Sequence, residues 1–177
     1  MDYQEILKFW FEDIEEKQHW VKDEKFDQLI KERFGQCLEQ TRLGEHWQWR
    51  ETPEGRLAEV IVLDQFSRNI FRNKPQSFAQ DPMALTLTQV AVQSGDDMKL
   101  DKDRRFFLYM PFMHSESLEV HKKGLQLFEA SGMNTEFEIK HMKIIEQFGR
   151  YPHRNDILGR ASTPDEIEFL KQPGSSF

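Results

Sequence analysis

Apolar positions recur at a spacing of three or four residues along almost the whole chain. Ile6, Phe9 and Trp10 fall on one face of a first predicted helix, which Asp2 can cap, and the same spacing returns between Phe26 and Leu38. The period-two alternation that marks half-buried strands does not compete with it in any segment. The pattern therefore predicts an all-α protein.

Capping residues, prolines and glycines then divide the pattern into separate helices. Thr52 can cap a helix that has Pro53 at its first position, and Thr163 precedes Pro164 in the same way. Pro111 must kink or end the helix in which it lies, because proline lacks the amide donor and clashes with the preceding turn. Further boundaries are predicted at Gly44, Asn73-Lys74-Pro75, Asp81-Pro82, Gly95, Asp101 or Asp103, Ser115 or Ser117, Ala130, Asn134 or Thr135, and Gly149. About eight helices result, and we expect residues 1–177 to form a single helical domain without a linker.

One nine-residue pattern occurs twice. Residues 65–73 read QFSRNIFRN and residues 147–155 read QFGRYPHRN, so both have the form Q-F-x-R-x-x-x-R-N. The copies lie 82 positions apart, which is no multiple of the 34-residue tetratricopeptide period. The periodicity alone therefore leaves a helix bundle and a helical solenoid both open.

The first copy lies on a predicted helix. At 100° per residue, its polar side chains Gln65, Arg68, Asn69 and Arg72 fall within a sector of about 100°, opposite the apolar positions. Guanidinium groups suit carboxylate and phosphate geometry, so this face could bind an anion. They could equally pair with Asp64 or Asp81, or interact with the helix dipole, as structural residues.

The second copy is predicted to be a turn, because Gly149 and Pro152 interrupt the helix. Arg150, His153 and Arg154 would then lie on a loop that presents its side chains freely. Asn155 or Asp156 could cap a short helix over residues 157–159. Matching letters in the two copies need not mean matching structures.

A third group of candidate residues follows Pro111. His114 lies two residues before Glu116, and a histidine near a carboxylate can move protons close to neutral pH. Ser115 between them is favoured as a helix cap over a nucleophile, because no nucleophile elbow surrounds it. No metal is predicted. The candidate ligands would be His114, Glu116, His141 and His153, but their spacing in the sequence matches no metal-binding pattern. His19, His46 and His121 are interpreted as ordinary surface or interface residues.

Composition argues against several further classes of protein. Of 177 residues, 38% are hydrophobic and 31% charged, and the net charge of −7 argues against nucleic-acid binding. No apolar run reaches the length of a membrane span, and no signal-peptide pattern occurs, so we expect a cytoplasmic protein. Cys37 is the single cysteine, which excludes an internal disulfide. No nucleotide-binding signature is present, and no cofactor is predicted.

Several stretches taken together resemble one family. They are FWFE at 9–12, GRLAEVIVLDQFSRNIFR at 55–72, FLYMPFMHSE at 107–116, FGRYPHRNDILGR at 148–160 and TPDEIEFL at 163–170. In this order they resemble the bacterial family catalogued as domain of unknown function 924. The resemblance implies an all-helical fold similar to tetratricopeptide repeats, and it implies no established activity.

The resemblance also marks a set of mostly polar positions. Tyr151 stands where phenylalanine is usual, and His121 stands where glutamine is expected. The marked positions are Asp64, Gln65, Arg68, Asn69, Arg72, Phe78, Asp81, His114, Ser115, Glu116, His141, Arg150, His153, Arg154, Asn155 and Arg160. A plain scaffold would show mainly apolar positions, so the set favours an internal polar pocket.

Two hypotheses of function follow. In the first, a small anionic molecule is bound, and hydrolytic or proton-transfer chemistry could accompany it. His114, Glu116, His153 and Asp64 would carry the proton chemistry. The ligand would be held by Gln65, Arg68, Asn69, Arg72, Arg150, Arg154, Asn155, Arg160 and His141. In the second, the protein is a scaffold that binds a peptide or a protein helix in a groove, and its charged residues are structural ion pairs. No sequence feature defines an oligomeric state.

Overall fold

The computed structural model describes residues 1–176, and every regular element in them is helical, which confirms the all-α prediction. The α-helices are α1 (Tyr3–Lys8), α2 (Glu24–Arg42), α3 (Pro53–Ile61), α4 (Ser67–Ile70), α5 (Asp81–Ser94), α6 (Lys102–Met113), α7 (Leu118–Ala130), α8 (Glu136–Phe148) and α9 (Pro164–Leu170). A π turn at Val62–Phe66 joins α3 to α4. The described residues thus hold eight continuous helices, as expected.

Most predicted helix boundaries are confirmed, and the caps form as their chemistry requires. The side chains of Asp2, Thr52 and Thr163 accept hydrogen bonds from backbone N–H groups in the first turns of α1, α3 and α9. Gly95 and Gly149 end α5 and α8 with φ angles of 73° and 68°, a conformation that glycine adopts without a side-chain clash. Local chemistry alone therefore sets these helix ends.

One local prediction is narrowed and another is corrected. Pro111 lies inside α6, which continues to Met113, so the helix does not end at the proline, and a kink there stays a prediction. Residues 157–159 form a turn rather than a short helix. The side chain of Asn155, which with Asp156 was one of two candidate caps for that helix, is instead fully buried and binds Ser162, Glu166 and Arg160.

The described chain packs as two units, and α6 crosses from one to the other between Pro111 and Phe112. The first unit contains Met1–Arg72 and Gln76–Pro111. The second contains Asn73–Pro75 and the described chain from Phe112 onwards. The single domain and the tetratricopeptide-like arrangement stay predictions.

An aromatic core holds the first unit together. The Phe66 ring stacks on Phe34 with centroids 4.9 Å apart, and it meets Trp10 edge-on at 5.5 Å. Phe9 packs on Phe34 at 4.8 Å, and all four rings are almost completely buried. Around this core α1 packs on α3, α2 on α4, and α3 on α5.

The chain around the π turn Val62–Phe66 is buried on every side. Leu57 to Ile61, which precede the turn in α3, are already at most 1% exposed. Val62 and Leu63 are fully buried, and Asp64 and Gln65 are buried beside them with 1% and 7% exposure. The polar face predicted from an ideal helix therefore starts inside the protein.

The second unit is built on Tyr151, which is fully buried against Ile144 and Ile145 of α8. In this unit α7 packs on α8, and α9 packs on the 3-10 turn Pro152–Arg154. A side chain at Gly124 of α7 would place its Cβ 2.8 Å from the Cβ of Phe112, so this close approach requires glycine.

Candidate functional site

The first copy of the motif is a network of ion pairs. Arg68 donates two parallel hydrogen bonds to Asp81, from Nη1 to Oδ1 at 2.8 Å and from Nη2 to Oδ2 at 2.9 Å. Nη1 also lies 3.1 Å from Oδ1 of the buried Asp64, and Gln65 Nε2 donates to the other Asp64 oxygen at 2.5 Å. One guanidinium thus lies between two carboxylates.

Asn69 and Arg72 of the same copy bind one carboxylate on α2. Asn69 Nδ2 donates to Asp27 Oδ1 at 2.8 Å, and Arg72 Nη2 donates to the same oxygen at 2.6 Å. Arg72 Nε also donates to Asp27 Oδ2. These hydrogen bonds raise the pKa of Arg72 above its usual value, because they favour the charged guanidinium. Their effect is to fasten the end of α4 to α2.

The second copy contains an arginine–carboxylate pair that is also joined by two hydrogen bonds. Arg150 donates from Nε to Glu166 Oε1 at 2.6 Å and from Nη2 to Glu166 Oε2 at 2.8 Å. Glu166 is 2% exposed and also receives hydrogen bonds from Asn155 Nδ2 and from the backbone of Thr163. The hydrogen bonds from Arg150 lower the pKa of Glu166 to about 2, helped by those from Thr163 and Asn155.

Glu116 does not orient a histidine through any described hydrogen bond. Its oxygens receive Arg160 Nη1 at 2.7 Å and Nη2 at 2.9 Å, and the backbone N–H of Tyr151 donates to Oε1 at 2.7 Å. Burial raises the pKa of Glu116, but the hydrogen bonds from Arg160 and Tyr151 outweigh it and hold the pKa below its usual value. Glu116 is therefore a charged acceptor that fixes the turn of the second copy.

Histidines surround the Tyr151 ring in the second unit. The ring centroids of His121, His141 and His153 lie 6.3, 5.9 and 5.5 Å from that of Tyr151. The guanidinium of Arg154 lies over the same ring at 4.6 Å, and its Nη2 donates to the carbonyl of His114 at 3.0 Å. Arg154 is only 6% exposed, so this arginine is not presented freely on a loop, contrary to the prediction.

His121 is a residue whose role the sequence interpretation missed. It was interpreted as an ordinary surface or interface residue, yet it is fully buried and its Nδ1 lies 2.7 Å from Oε1 of the fully buried Glu138. Its Nε2 lies 2.8 Å from the carbonyl oxygen of Ser115, which can only accept, so Nε2 carries a proton. The Nδ1–Oε1 contact then holds a second proton between the two residues. The only sequence clue was the departure from glutamine at this position.

His141 is buried and neutral. Burial lowers its pKa to about 3, despite the favourable hydrogen bond that links Nδ1 to the carbonyl of Phe137 at 2.7 Å. Because a carbonyl accepts, the proton lies on Nδ1 and the lone pair on Nε2. Within residues 1–176, no group of three or more histidine, cysteine or acidic side chains is arranged to hold a metal ion.

The geometry therefore separates the predicted site residues into two kinds of environment. Arg68, Arg72, Arg150 and Arg160 each bind a carboxylate of this chain through two hydrogen bonds. His141, His153 and Arg154 gather around Tyr151. Residues 65–72 of the first copy lie in the first unit and the second copy lies in the second unit, and their sharing one site stays a prediction.

An aromatic groove of about 450 Å³ lies in the first unit, away from both motif copies in sequence. Its lining residues are Phe11, Ile14, Glu16, His19, Trp20, Asp103, Phe106 and Phe107. The Trp20 indole stacks on the Phe107 ring with an interplanar angle of 14°, and Trp20 nevertheless stays 54% exposed. Part of the Trp20 indole is therefore accessible at this groove.

Comparison with known proteins decides the family. The profile described as bacterial protein of unknown function (DUF924) matches residues 6–174. The chain belongs to this family. This DUF924 chain is also similar in structure to a protein of unknown function, ATU0120, from Agrobacterium tumefaciens. The two share 33% sequence identity and a TM-score of 0.90, with 96% of each chain covered. A search of curated proteins finds no match.

The DUF924 chain has no helix within its described residues that is both long enough and apolar enough to cross a membrane. The family and the structural relative name no ligand, substrate or partner. A function must therefore be argued from the geometry of this chain.

Proposed function

We propose that this DUF924 protein is a binding module that receives a polypeptide segment of a partner protein in the aromatic groove of the first unit. The observation that carries the proposal is the exposed indole of Trp20, held by Phe107 at the edge of a concave surface. Aromatic side chains are the residues that most often supply binding energy at protein interfaces.

The rigidity of the groove supports a preformed binding surface. Phe107 is 6% exposed and meets Trp10 edge-on at 5.7 Å, so the wall on which Trp20 rests belongs to the core. His19 Nε2 donates a hydrogen bond to the carbonyl oxygen of Trp10 at 2.8 Å, which fixes the 3-10 turn Glu16–His19 that precedes Trp20. A surface fixed before binding loses little conformational entropy when a partner arrives.

Charge also favours a partner of a particular kind. Glu16 and Asp103 line the groove, and neither makes a side-chain hydrogen bond or ion pair within residues 1–176. No lysine or arginine is among the lining residues, and burial lowers the pKa of His19, which favours its neutral form. A basic segment with an apolar side chain complements this surface and the net charge of −7.

The competing hypothesis of a small anionic ligand has weaker support. Arg68 and Arg150 would have to leave Asp81 and Glu166 before a ligand anion could replace those carboxylates. Breaking such a charge-assisted pair costs binding energy unless the anion forms equally good hydrogen bonds. Proton transfer by His114, His153, Glu116 or Asp64 has no observation in its favour beyond their titratable chemistry.

A displayed library of random peptides tests the proposal, with peptides selected on the wild-type protein and then synthesised. We expect micromolar binders whose affinity falls at least tenfold with Trp20→Ala, as measured by calorimetry. Trp47→Ala is the matched control, because Trp47 is 58% exposed and does not line the groove. Peptides that bind both variants as well as the wild type, or a library that gives no binder, would overturn the proposal.

A further inference from the structure

Resting on the proposed function, we infer that the groove selects an arginine side chain of the bound segment, stacked on Trp20 and paired with Glu16 and Asp103. The inference goes beyond peptide binding because it names the group that the groove distinguishes. It follows from three features of the first unit.

The first feature is the aromatic arrangement around Trp20. Phe107 lies parallel to the indole at 5.9 Å and covers one of its faces, while Phe106 meets it edge-on at 6.1 Å with an interplanar angle of 82°. More than half of Trp20 remains exposed, so the indole offers a face to an incoming group. Indole is the aromatic side chain that attracts a cation most strongly.

The second feature is uncompensated negative charge in the lining. The nearby Asp13 lies 3.6 Å from Arg33, and Glu15 lies 2.6 Å from Lys17, so these two acids have partners. Glu16 and Asp103 have none within the described chain. Two carboxylates that share the groove lining with an exposed indole favour a positive side chain there.

The third feature distinguishes arginine from lysine. A guanidinium is planar, stacks on aromatic faces and carries several donors in one plane, whereas an ammonium is a strongly hydrated point charge. At the rim of the groove an arginine of this chain already lies over a lining ring, with the Arg104 guanidinium 5.7 Å from the ring centroid of Phe11. Arg104 is itself paired with Asp101 at 3.5 Å, so its charge is compensated locally.

Four blocked peptides, identical except for one central residue, test the inference: arginine, lysine, citrulline and norleucine, each flanked by leucines. Citrulline keeps the planar shape of arginine without its charge. Binding is measured by calorimetry, and by the indole N–H signal of Trp20 in NMR spectra, assigned with Trp20→Phe. We expect the arginine peptide to bind about tenfold more tightly than the citrulline and norleucine peptides and severalfold more tightly than the lysine peptide.

The double variant Glu16→Gln/Asp103→Asn should reduce arginine binding to the citrulline level and leave citrulline binding unchanged. Glu45→Gln/Glu51→Gln is the matched control, because both residues are exposed and neither lines the groove.

Equal binding of all four peptides, lost with Trp20→Ala, would overturn the arginine inference and support the peptide groove. Equal binding of arginine and lysine would also overturn it. If none of the four binds while library peptides do, the arginine inference alone fails, and if neither set binds, both proposals fail.

Discussion

Arg150 donates two hydrogen bonds to Glu166, which lies in the first turn of α9. The corresponding arginine of the first copy, Arg68, also donates two parallel hydrogen bonds to a carboxylate, that of Asp81, and Asp81 is the first residue of α5. In both copies, the first arginine of Q-F-x-R-x-x-x-R-N therefore fixes the start of the next α-helix. The two copies thus share one structural relationship, a guanidinium paired with a carboxylate in the first turn of the following helix.

Arg68→Ala should destabilise the protein by roughly 3 kcal/mol, because it leaves Asp64 buried without its cation. Urea unfolding followed by far-UV circular dichroism measures this loss. Asp64→Asn combined with Arg68→Ala should recover part of it, because the amide removes the buried negative charge. An Arg68→Ala protein of wild-type stability would contradict the structural role.

The same variant separates the structural role from the anion hypothesis. If Arg68 only pairs with Asp64 and Asp81, added phosphate should leave the melting temperature of the wild type unchanged. A bound anion would instead raise that temperature in proportion to its affinity, and Arg68→Ala would abolish the rise. Differential scanning fluorimetry at 0 and 20 mM phosphate, about the range of a weak anion site, gives the comparison.

Glu166 should contribute stability that disappears in strong acid. Its pKa falls from 4.5 to about 2 on folding, so above pH 4.5 the native state gains from the ionised carboxylate. As the pH falls from 4.5 to 2, the unfolded chain takes up a proton before the native state does, and the gain is lost. We expect Glu166→Gln to be less stable than the wild type at pH 6. The difference should shrink steadily below pH 4.5 in urea titrations.

The features that the sequence predicted are those that depend on neighbouring residues. The caps at Asp2, Thr52 and Thr163 form from side chains within three positions of the amides they bind. Gly95 and Gly149 end helices because their own φ angles are positive. The repeated motif was visible in the letters alone, and so was the possibility that Arg68 pairs with Asp64 or Asp81.

Other features depend on contacts that no local pattern shows. Asp64 and Gln65 are buried because the chain from Leu57 to Ser67 is enclosed on every side, whereas a helical wheel assigns polar side chains to an exposed face. His121 meets Glu138 across 17 positions of sequence, and the groove brings Trp20 to Phe107 from distant segments. Tertiary packing decides such contacts. The sequence therefore indicated the charged motif as a candidate site, but it did not indicate the aromatic groove.

His141 should make the native state lose stability in mildly acid solution. Its pKa falls from 6.5 to about 3 on folding, so between pH 6.5 and pH 3 this histidine is protonated in the unfolded chain and neutral in the native state. Stability should therefore decline as the pH falls from 6.5 towards 3, by up to about 1.4 kcal/mol per pH unit for this one group. His141→Gln should flatten that decline between pH 6.5 and 4.5, where Glu166 does not yet titrate. An identical decline in the variant would show that other groups cause it.

The last prediction concerns the buried pair of His121 and Glu138, whose Oε1 accepts from or donates to His121 Nδ1 at 2.7 Å. The other oxygen, Glu138 Oε2, is buried without a hydrogen-bond partner in the described structure, so the histidine is its carboxylate's sole described side-chain partner. Replacing His121 with glutamine should therefore cost roughly 1–3 kcal/mol, because the buried Glu138 side chain loses this hydrogen bond. Glu138→Gln alone should also destabilise, because it changes the group that His121 Nδ1 meets. The double variant should be more stable than the sum of the two losses predicts, since neither residue is then left facing an unmatched buried partner. Urea unfolding of all four proteins at pH 7 gives the coupling free energy. Additive losses within about 0.5 kcal/mol would mean that the two residues do not stabilise each other.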